Sequence, residues 1–439
     1  MEKRGGLAVN TALLTGSSLV MRCIALVFQV WLVGRIGSAG IGLFQLIMSV
    51  GMLASTLAVS GIRFASTRVI AMEMGLGRHG GIGPAFRRCL AYSLFFGVLA
   101  AAILFFFAEP IGFLWVGDAR TVLSLRLLAL SLPFIAMSAV FAGYFTACGR
   151  VWKSAAIQVT EQLFRIGCVV AFLGLAPAGD LEKCCAAVTA GGTAAEALSF
   201  ALFFAVFLLD RRRHRPSGPR SRHITGRMLG IALPLAFSAY ARTSLSTLEH
   251  LLVPRQLKGA GFSADAALSG YGVIHGMVFP IITFPSCLLS ALAENLVPHL
   301  TEAQVAGKTE YISREVSSLM RKCLLFSLAA AAFIFCTAEP LGCLIYKSQE
   351  AGRFIRIFSP LIPIIYMDIV TDGCLKGLGQ MMWSMAYNIM DALMGVMLVI
   401  TVLPRWALTG YIAVIYLTEV LNFALSIRRL RRVTRVRLF

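Results

Sequence analysis

Residues 108–112 read Ala-Glu-Pro-Ile-Gly, and residues 338–342 read Ala-Glu-Pro-Leu-Gly, the same motif at an offset of 230 positions (339 minus 109). Further pairs share this offset without a gap: Pro133 with Pro363, Gly143 with Gly373, Gly149 with Gly379, Ser154 with Ser384, Gln158 with Asn388, and Glu161 with Asp391. A second offset of 220 (242 minus 22) pairs Arg22 with Arg242. Repeated halves of this kind are typical of transporters that rock around a central site.

The composition places these repeats in a membrane. Of the 439 residues, 58% are hydrophobic and only 14% are charged, against about 25% charged in soluble domains. We therefore predict an all-α polytopic membrane protein, with about twelve transmembrane helices in two pseudo-symmetric six-helix lobes around a central cavity. Its first two spans are expected to part between residues 34 and 39, and its last two between residues 403 and 405.

Charge sets the predicted domains and orientation. An N-lobe covers residues 1–209, a basic linker covers residues 210–226, and a C-lobe covers residues 227–439 and ends in an Arg-rich tail. Lys and Arg concentrate in the alternate loops that include both termini, so the positive-inside rule predicts a cytoplasmic membrane protein with both termini in the cytoplasm. The linker and the tail are also expected to attract anionic membrane lipids.

Several classes of function are not expected. The net charge is +19, but the basic residues lie in short loops and set topology, so nucleic acid is not a predicted partner. The 11 cysteines show no CxxC pair and no zinc-like spacing with histidine, so no metal site or cofactor is predicted. The loops are too short for a globular insert with an active site, so the chain is not expected to be an enzyme.

Charged residues within spans are expensive and usually face a cavity or a partner. Arg22 lies midway along the first span and its repeat mate Arg242 midway along the seventh. Both are predicted to bind substrate from a central cavity, and Arg63 in the second span is a further candidate. Guanidinium groups keep their charge and bind phosphate through two hydrogen bonds. The alternative is separate ion pairs, for example between Arg242 and Glu249.

One helix carries a polar stripe. The fifth span presents four polar side chains at helical spacing, namely Gln158, Glu161, Gln162 and Arg165. Asn388 occupies the repeat-related position of Gln158 in the eleventh span. A polar stripe cannot face lipid cheaply, so these residues are predicted to bind substrate. The alternative is hydrogen bonding between helices within each half.

The second half holds most of the titratable groups. Candidates for binding a coupling Na⁺ or H⁺ are Glu249, Asp368, Asp372 and Asp391. Coupling requires a group that changes its charge or coordinates a cation. The alternative is that these carboxylates neutralise Arg242 and Arg356. His250, His275 and Glu419 are the other titratable side chains of these spans.

Several stretches resemble a known family, namely Ile41–Leu46, Gly143–Phe145, Gln158–Arg165 and Leu251–Leu257. They are similar to the stage V sporulation protein B group of polysaccharide and lipid flippases, in the superfamily of multidrug and oligosaccharidyl-lipid exporters. The resemblance implies two lobes forming a V, alternating access and a polyprenyl-pyrophosphate-linked saccharide as substrate. It also implies a cationic cavity residue in the first span, where Arg22 lies, and an association with cell-wall or sporulation machinery.

Two functions remain open at this stage. The first is a flippase for a lipid-linked saccharide, such as a peptidoglycan or polysaccharide precursor. The alternative is a cation-coupled multidrug exporter of the same fold, in which Glu249 and Asp368 would dominate. A membrane glycosyltransferase would need a sizeable outside loop with a catalytic group, and the outside loops are too short. A non-transporting scaffold in a sporulation complex is a further alternative, which flux in proteoliposomes would decide.

Overall fold

The structure, a computed structural model, describes residues 2–76, 79–177, 179–213 and 224–434. Within these ranges the protein is helical and forms no strand, which confirms the predicted all-α class. Its α-helices are α1 (Glu2–Val59), α2 (Ile62–Gly75), α3 (His79–Phe106), α4 (Ala108–Pro110), α5 (Val122–Ala147), α6 (Val151–Leu175), α7 (Leu181–Arg213), α8 (Ile224–Gly259), α9 (Ala264–Gly272), α10 (Phe279–Thr283), α11 (Ser286–Val305), α12 (Thr309–Tyr346), α13 (Gln349–Phe358), α14 (Ile362–Gly377) and α15 (Met381–Thr434).

Ten helical stretches in the described ranges are long and apolar enough to cross a membrane. Two of them, Leu19–Gly75 and Met381–Thr434, have 57 and 54 residues, whereas one crossing needs about 20. Each contains non-helical backbone, at Gly37 (φ 72°) and at Ala407 (φ 46°). These breaks lie at or near the predicted ones, so the prediction of about twelve spans is consistent with the structure.

The sequence repeat is visible as a repeated helix end. The helices α5 and α14 are both followed by a glycine in the left-handed region, Gly149 with φ 69° and Gly379 with φ 66°. The amide of the next residue, Arg150 in one case and Gln380 in the other, donates to the carbonyl five residues earlier at 2.8 Å. This is a Schellman-type end, which glycine favours because it has no Cβ to clash.

The motif that opens the repeat has the same structural role in both halves. Glu109 forms an ion pair with Arg126 at 2.7 Å, and Glu339 forms one with Arg356 at 2.8 Å. Both arginines obey the offset of 230, and each also lies over a phenylalanine ring. The four side chains are largely exposed, so the pairs contribute little to stability. They nevertheless show that the two halves fold alike.

Proximity of Cα atoms divides the chain into two compact units. Unit 1 contains Met1–Ser17 and Leu46–Thr247, and unit 2 contains Ser18–Gln45 and Leu248–Phe439. Most of the first span therefore groups with the C-terminal half, and the first part of α8 groups with the N-terminal half. The predicted domain boundaries at residues 209 and 227 stay predictions. Residues 214–223 of the predicted linker and the tail beyond residue 434 lie outside the described residues.

The core of unit 1 is built from aromatic side chains of α3, α5 and α7. Phe141 is fully buried, and its ring centroid lies 5.4 Å from that of Phe207. Phe86 stacks on Phe207 at 4.4 Å. Gly143 lets α2 approach α5, since a Cβ there would lie 2.8 Å from the carbonyl oxygen of Arg63. The helix that begins beside Arg63 is thus held against the core.

In unit 2 the segment Ser18–Gln45 of α1, on both sides of the break at Gly37, packs on α9 and on the π-helical turn Val273–Val278. The hydroxyls of Ser38 and Ser269 share a hydrogen bond of 2.6 Å, and the Gln29 amide donates to the Gly276 carbonyl at 3.1 Å. A Cβ added at Gly42 would lie 2.9 Å from the carbonyl carbon of Leu268 and closer still to its oxygen. Small residues allow this close approach of backbones, as in many membrane helix pairs.

Candidate functional site

A cavity of about 330 Å³ lies in unit 2 beside Arg22. Its lining comes from α1, α10 and the residue that follows α10: Arg22, Ala25, Leu26, Gln29, Gln45, Pro280, Thr283 and Phe284. Arg22 is exposed, and no residue in the described ranges forms an ion pair with it. The cavity therefore offers an unneutralised guanidinium, two amides and a hydroxyl, which are groups that suit an anionic, hydroxyl-rich ligand.

The local sequence explains why Arg22 faces this cavity. Ala25, Leu26 and Gln29 follow Arg22 at helical spacings of three, four and seven, so all four lie on one face of α1. Gln29 bonds to the backbone of the π-helical turn, which orients that face toward α10. Pro280 lies near the start of α10 and has no amide hydrogen of its own to donate.

Arg63 and Arg242 belong to unit 1. Both are exposed, and neither forms an ion pair with a residue that the structure describes. The break between α1 and α2 at Ser60 and Gly61 places Arg63 near the start of α2, and the Ser60 hydroxyl shares a hydrogen bond with Tyr240. Both arginines thus lie close to the packing contact of α2 and α8. The ion pair of Arg242 with Glu249, considered from the sequence, is not formed.

The polar stripe of α6 is largely occupied by internal ion pairs. Arg165 Nη2 lies 2.7 Å from Glu161 on its own helix and 2.7 Å from Glu196 on α7. The guanidinium is therefore shared by two carboxylates, and binding a phosphate there would break these pairs. This matches the alternative of bonding between helices, with Glu196 as a partner that was not foreseen. Gln158 and Gln162 are half-buried.

Two predicted residues of unit 2 make local contacts. The Asn388 amide donates to the carbonyl of Ser384, one turn earlier, at 2.9 Å. Asp372 pairs with Lys376 at 2.5 Å and accepts a hydrogen bond from the Ser384 hydroxyl. Asp372 is thus neutralised by a lysine, which the sequence alternative of Arg242 or Arg356 did not include, and it is a weaker candidate for cation binding than the other carboxylates.

The other predicted coupling residues lie near one another in unit 2. Glu419 on α15 is within electrostatic reach of Glu249, Asp368 and Asp391. Gly395 makes room for Glu249, because a Cβ there would lie 2.7 Å from the carboxyl carbon of that glutamate. No Lys or Arg of the described ranges forms an ion pair with these four carboxylates. Arg356 pairs instead with Glu339.

Asn422 extends this carboxylate group. Its amide nitrogen donates to Asp368 at 3.2 Å, and only 8% of the residue is exposed. One oxygen each of Asp368, Asp391 and Asn422 is buried without a hydrogen-bond partner among the described residues. Unsatisfied buried oxygens require a proton, a cation or water. Asn422 was missed from the sequence, although Glu419, Asn422 and Ser426 follow one helical face of α15.

A histidine and tyrosine network adjoins the carboxylates. His275 Nε2 and the Tyr411 hydroxyl lie 2.5 Å apart, and His250 Nδ1 lies 3.2 Å from the Tyr271 hydroxyl. The two imidazole rings meet edge to face at 4.9 Å. In the described part of the chain no three His, Cys, Asp or Glu side chains are arranged to hold a metal ion. Any cation site would therefore need amide, hydroxyl or carbonyl oxygens as well.

The family described as Polysaccharide biosynthesis protein matches residues 7–304, well over half of the chain. The chain belongs to this family. A second family, MatE, matches residues 260–401. The polysaccharide biosynthesis match spans both the Arg22 cavity and the polar stripe of α6, and it supports the resemblance seen in the sequence.

Relatives of this chain include two proteins of Bacillus subtilis (strain 168). It is 24% identical to Stage V sporulation protein B over 408 residues, which are 91% of this chain and 79% of that protein. It is 21% identical to Sporulation protein YkvU over 382 residues, which are 86% of this chain and 84% of that protein.

The fold has solved counterparts. The inward-facing structure of a multidrug resistance MATE family transporter of the MOP superfamily covers 95% of this chain, and the match spans 96% of that protein, with a TM-score of 0.71 and 14% identity. At this identity the likeness establishes the fold. With the family match and the apolar helices, it makes this protein a multi-pass membrane transporter and not an enzyme.

Proposed function

We propose that the protein is a flippase that moves a lipid-linked saccharide, such as a polyprenyl-pyrophosphate precursor of peptidoglycan or polysaccharide, across the cytoplasmic membrane by alternating access. The observation that carries this proposal is the unneutralised Arg22 in a cavity that also presents Gln29, Gln45 and Thr283. A pyrophosphate leaving water needs fixed positive partners. Sugars need amides and hydroxyls, which this cavity provides.

The other exposed arginines support the same substrate class. Arg63 and Arg242 provide unit 1 with two guanidiniums that no described carboxylate neutralises. A transporter for cations would not be expected to keep three unpaired arginines within its spans, because like charges raise the free energy of a bound cation. Similarity to Stage V sporulation protein B and Sporulation protein YkvU adds cell-wall or sporulation machinery as a proposed partner.

Coupling to Na⁺ or H⁺ is proposed for the carboxylates of unit 2. Glu249, Asp368, Asp391 and Glu419 lack basic partners in the described ranges, and buried oxygens of this group lack hydrogen bonds. A proton or a small cation would satisfy them. Four carboxylates kept together without a counter-charge repel one another, so filling the site lowers the free energy of the protein.

The test is reconstitution of the purified protein in liposomes that contain a labelled undecaprenyl-pyrophosphate saccharide. The fraction of label exposed on the outer leaflet is followed with time, with and without an imposed Na⁺ or H⁺ gradient. Protein-dependent exposure supports the proposal. Vesicles with protein that flip no faster than empty ones contradict it.

A cation-coupled multidrug exporter is the second candidate, favoured by the same unpaired carboxylates, which attract cationic compounds. The two candidates differ in the charge of their cargo. Proteoliposomes that accumulate a cationic dye, and do so independently of lipid-linked saccharide, would favour the exporter. Competition by the pyrophosphate lipid and indifference to the dye would favour the flippase.

The proposed orientation places the basic ends of the spans in the cytoplasm. Arg321 and Lys322 lie in the N-terminal third of α12, and Lys376 and Arg431 lie near the C-terminal ends of α14 and α15. The positive-inside rule assigns these basic segments to the cytoplasm. Labelling of a single cysteine placed beside Arg432 by a membrane-impermeant reagent is expected only after the cells are opened. Labelling on intact cells would reverse the orientation.

A further inference from the structure

A second hollow in unit 2 is unlike the Arg22 cavity. It measures about 220 Å³ and lies among α12, α14 and α15. Its lining is apolar except at one end: Leu324, Pro363, Ile364, Met367, Phe423, Ile427 and Arg431. This volume is below the range of about 300–1,000 Å³ of small-molecule pockets. We call this hollow the lower groove.

The lower groove leads from the apolar interior of unit 2 to its basic end. Phe423, Ile427 and Arg431 lie on one face of α15 at spacings of four, so the groove follows the helix for about 12 Å at 1.5 Å per residue. Arg431 is exposed and forms no ion pair with a described residue. Neighbouring Arg429 differs, since it donates to Gln380 and stacks on Trp383.

In the N-terminal half, aromatic rings fill the position that the repeat relates to Ile364 of the lower groove. At the offset of 230, Ile364 corresponds to Phe134, whose ring lies 5.8 Å from that of Phe200. Phe200 in turn packs against Phe204 and Phe141. The repeat can therefore fill this position with its own side chains. In unit 2 an isoleucine occupies this position, and the hollow remains open between the helices.

We propose that the lower groove binds one anionic membrane phospholipid, with an acyl chain along the apolar walls and the headgroup phosphate on Arg431. Charge complementarity decides the headgroup: exposed Arg428 lies one turn before Arg431 on α15, and exposed Arg321 lies one turn before the lining residue Leu324 on α12. Basic pockets between transmembrane helices bind anionic headgroups in this manner. The narrow apolar section fits a flexible chain better than a compact ligand. This site is separate from the Arg22 cavity and does not depend on the proposed substrate.

The test measures lipid binding to the full-length protein in detergent by native mass spectrometry. Phosphatidylglycerol and phosphatidylcholine with identical acyl chains are titrated in parallel. The variants are Arg431→Gln, which removes the headgroup partner, and Ile364→Phe, which reproduces the phenylalanine of the other half. Arg432→Gln is the matched control, because it removes the same charge one residue away from the lining.

Wild-type protein and Arg432→Gln are expected to bind phosphatidylglycerol at least about tenfold more tightly than phosphatidylcholine, a difference of about 1.4 kcal/mol. Arg431→Gln should remove this preference, and Ile364→Phe should weaken binding of both lipids. Thermal melting of each variant without added lipid separates loss of folding from loss of binding. Equal affinities for the two lipids in the wild type, or equal losses in Arg431→Gln and Arg432→Gln, would overturn the proposal. So would undiminished binding by a folded Ile364→Phe protein.

Discussion

Substitution of Gly42 by alanine tests whether the part of α1 that follows the break at Gly37 is anchored in unit 2. The added Cβ would lie 2.9 Å from the Leu268 carbonyl carbon, where ordinary contact begins at 3.4 Å, a shortfall of 0.5 Å (3.4 minus 2.9). The opposing atoms are backbone, so no side chain can rotate away. Overpacking of this kind costs about 1–3 kcal/mol. Since Gln45, three residues after Gly42, lines the cavity beside Arg22, that cavity should be disturbed as well.

The assay is equilibrium unfolding in detergent, followed by circular dichroism against denaturant concentration. Gly34→Ala is the matched control, because Gly34 also belongs to α1, just before the break at Gly37, and nothing lies within 4 Å of an added Cβ. Alanine favours a helix over glycine by up to about 1 kcal/mol, so the control should be unchanged or slightly more stable. The anchoring contact would be refuted by a Gly42→Ala protein that is as stable as Gly34→Ala.

Three further predictions follow from the paired and unpaired charges. Arg165→Gln should lower the free energy of unfolding by about 1–3 kcal/mol, because Glu161 and Glu196 lose their partner. The double variant with Glu196→Gln should regain part of the lost stability, and an Arg165→Gln protein that melts like the wild type would contradict the ion-pair assignment. Arg126→Ala and Arg356→Ala should each change the free energy of unfolding by at most about 1 kcal/mol, because their ion pairs with Glu109 and Glu339 are exposed. A larger loss of stability in either variant would contradict this. Asp368→Asn should make flipping in proteoliposomes insensitive to an imposed cation gradient, whereas Glu310→Gln, which changes an exposed carboxylate, should leave that sensitivity intact. If the Asp368→Asn protein still responds to the gradient, Asp368 is excluded as the coupling group.

The repeated fold could be predicted because several repeated residues occupy backbone conformations that few other residue types adopt. Gly149 and Gly379 end helices in the left-handed region, and few other residues serve there. Glu109 and Glu339 belong to motifs that keep the same partner spacing. Such local requirements leave a trace in one sequence without reference to the rest of the fold.

The grouping of the segment Ser18–Gln45 with the C-terminal half could not be predicted in this way. Its contact face uses Ser38 and Gly42 against Ser269 and Leu268. Small residues occur throughout the spans, so their presence does not reveal which helix they meet. Arg165 shows the same limit, because its partner Glu196 lies 31 positions away on another helix and no spacing rule connects them.

Part of the carboxylate group was predictable and part was not. Glu249, Asp368 and Asp391 stand out because charges within apolar spans are rare. Asn422 does not stand out in the sequence, since a single amide side chain in a helix is common and need not belong to a site. Its role is visible only through burial and the bond to Asp368.

The most direct test of the account is flipping of a labelled undecaprenyl-pyrophosphate saccharide by proteoliposomes that contain Arg22→Gln or Arg35→Gln protein. Both variants remove one exposed guanidinium from α1, but Arg35 lies beside Trp31 and outside the cavity lining. A hydrogen bond to a charged group contributes about 1.5–3 kcal/mol, so its loss predicts a flipping rate about 10- to 150-fold lower for Arg22→Gln. The flipping rate of Arg35→Gln should be close to that of the wild type. Equal rates in the two variants would contradict the assignment of Arg22 as the pyrophosphate-binding residue.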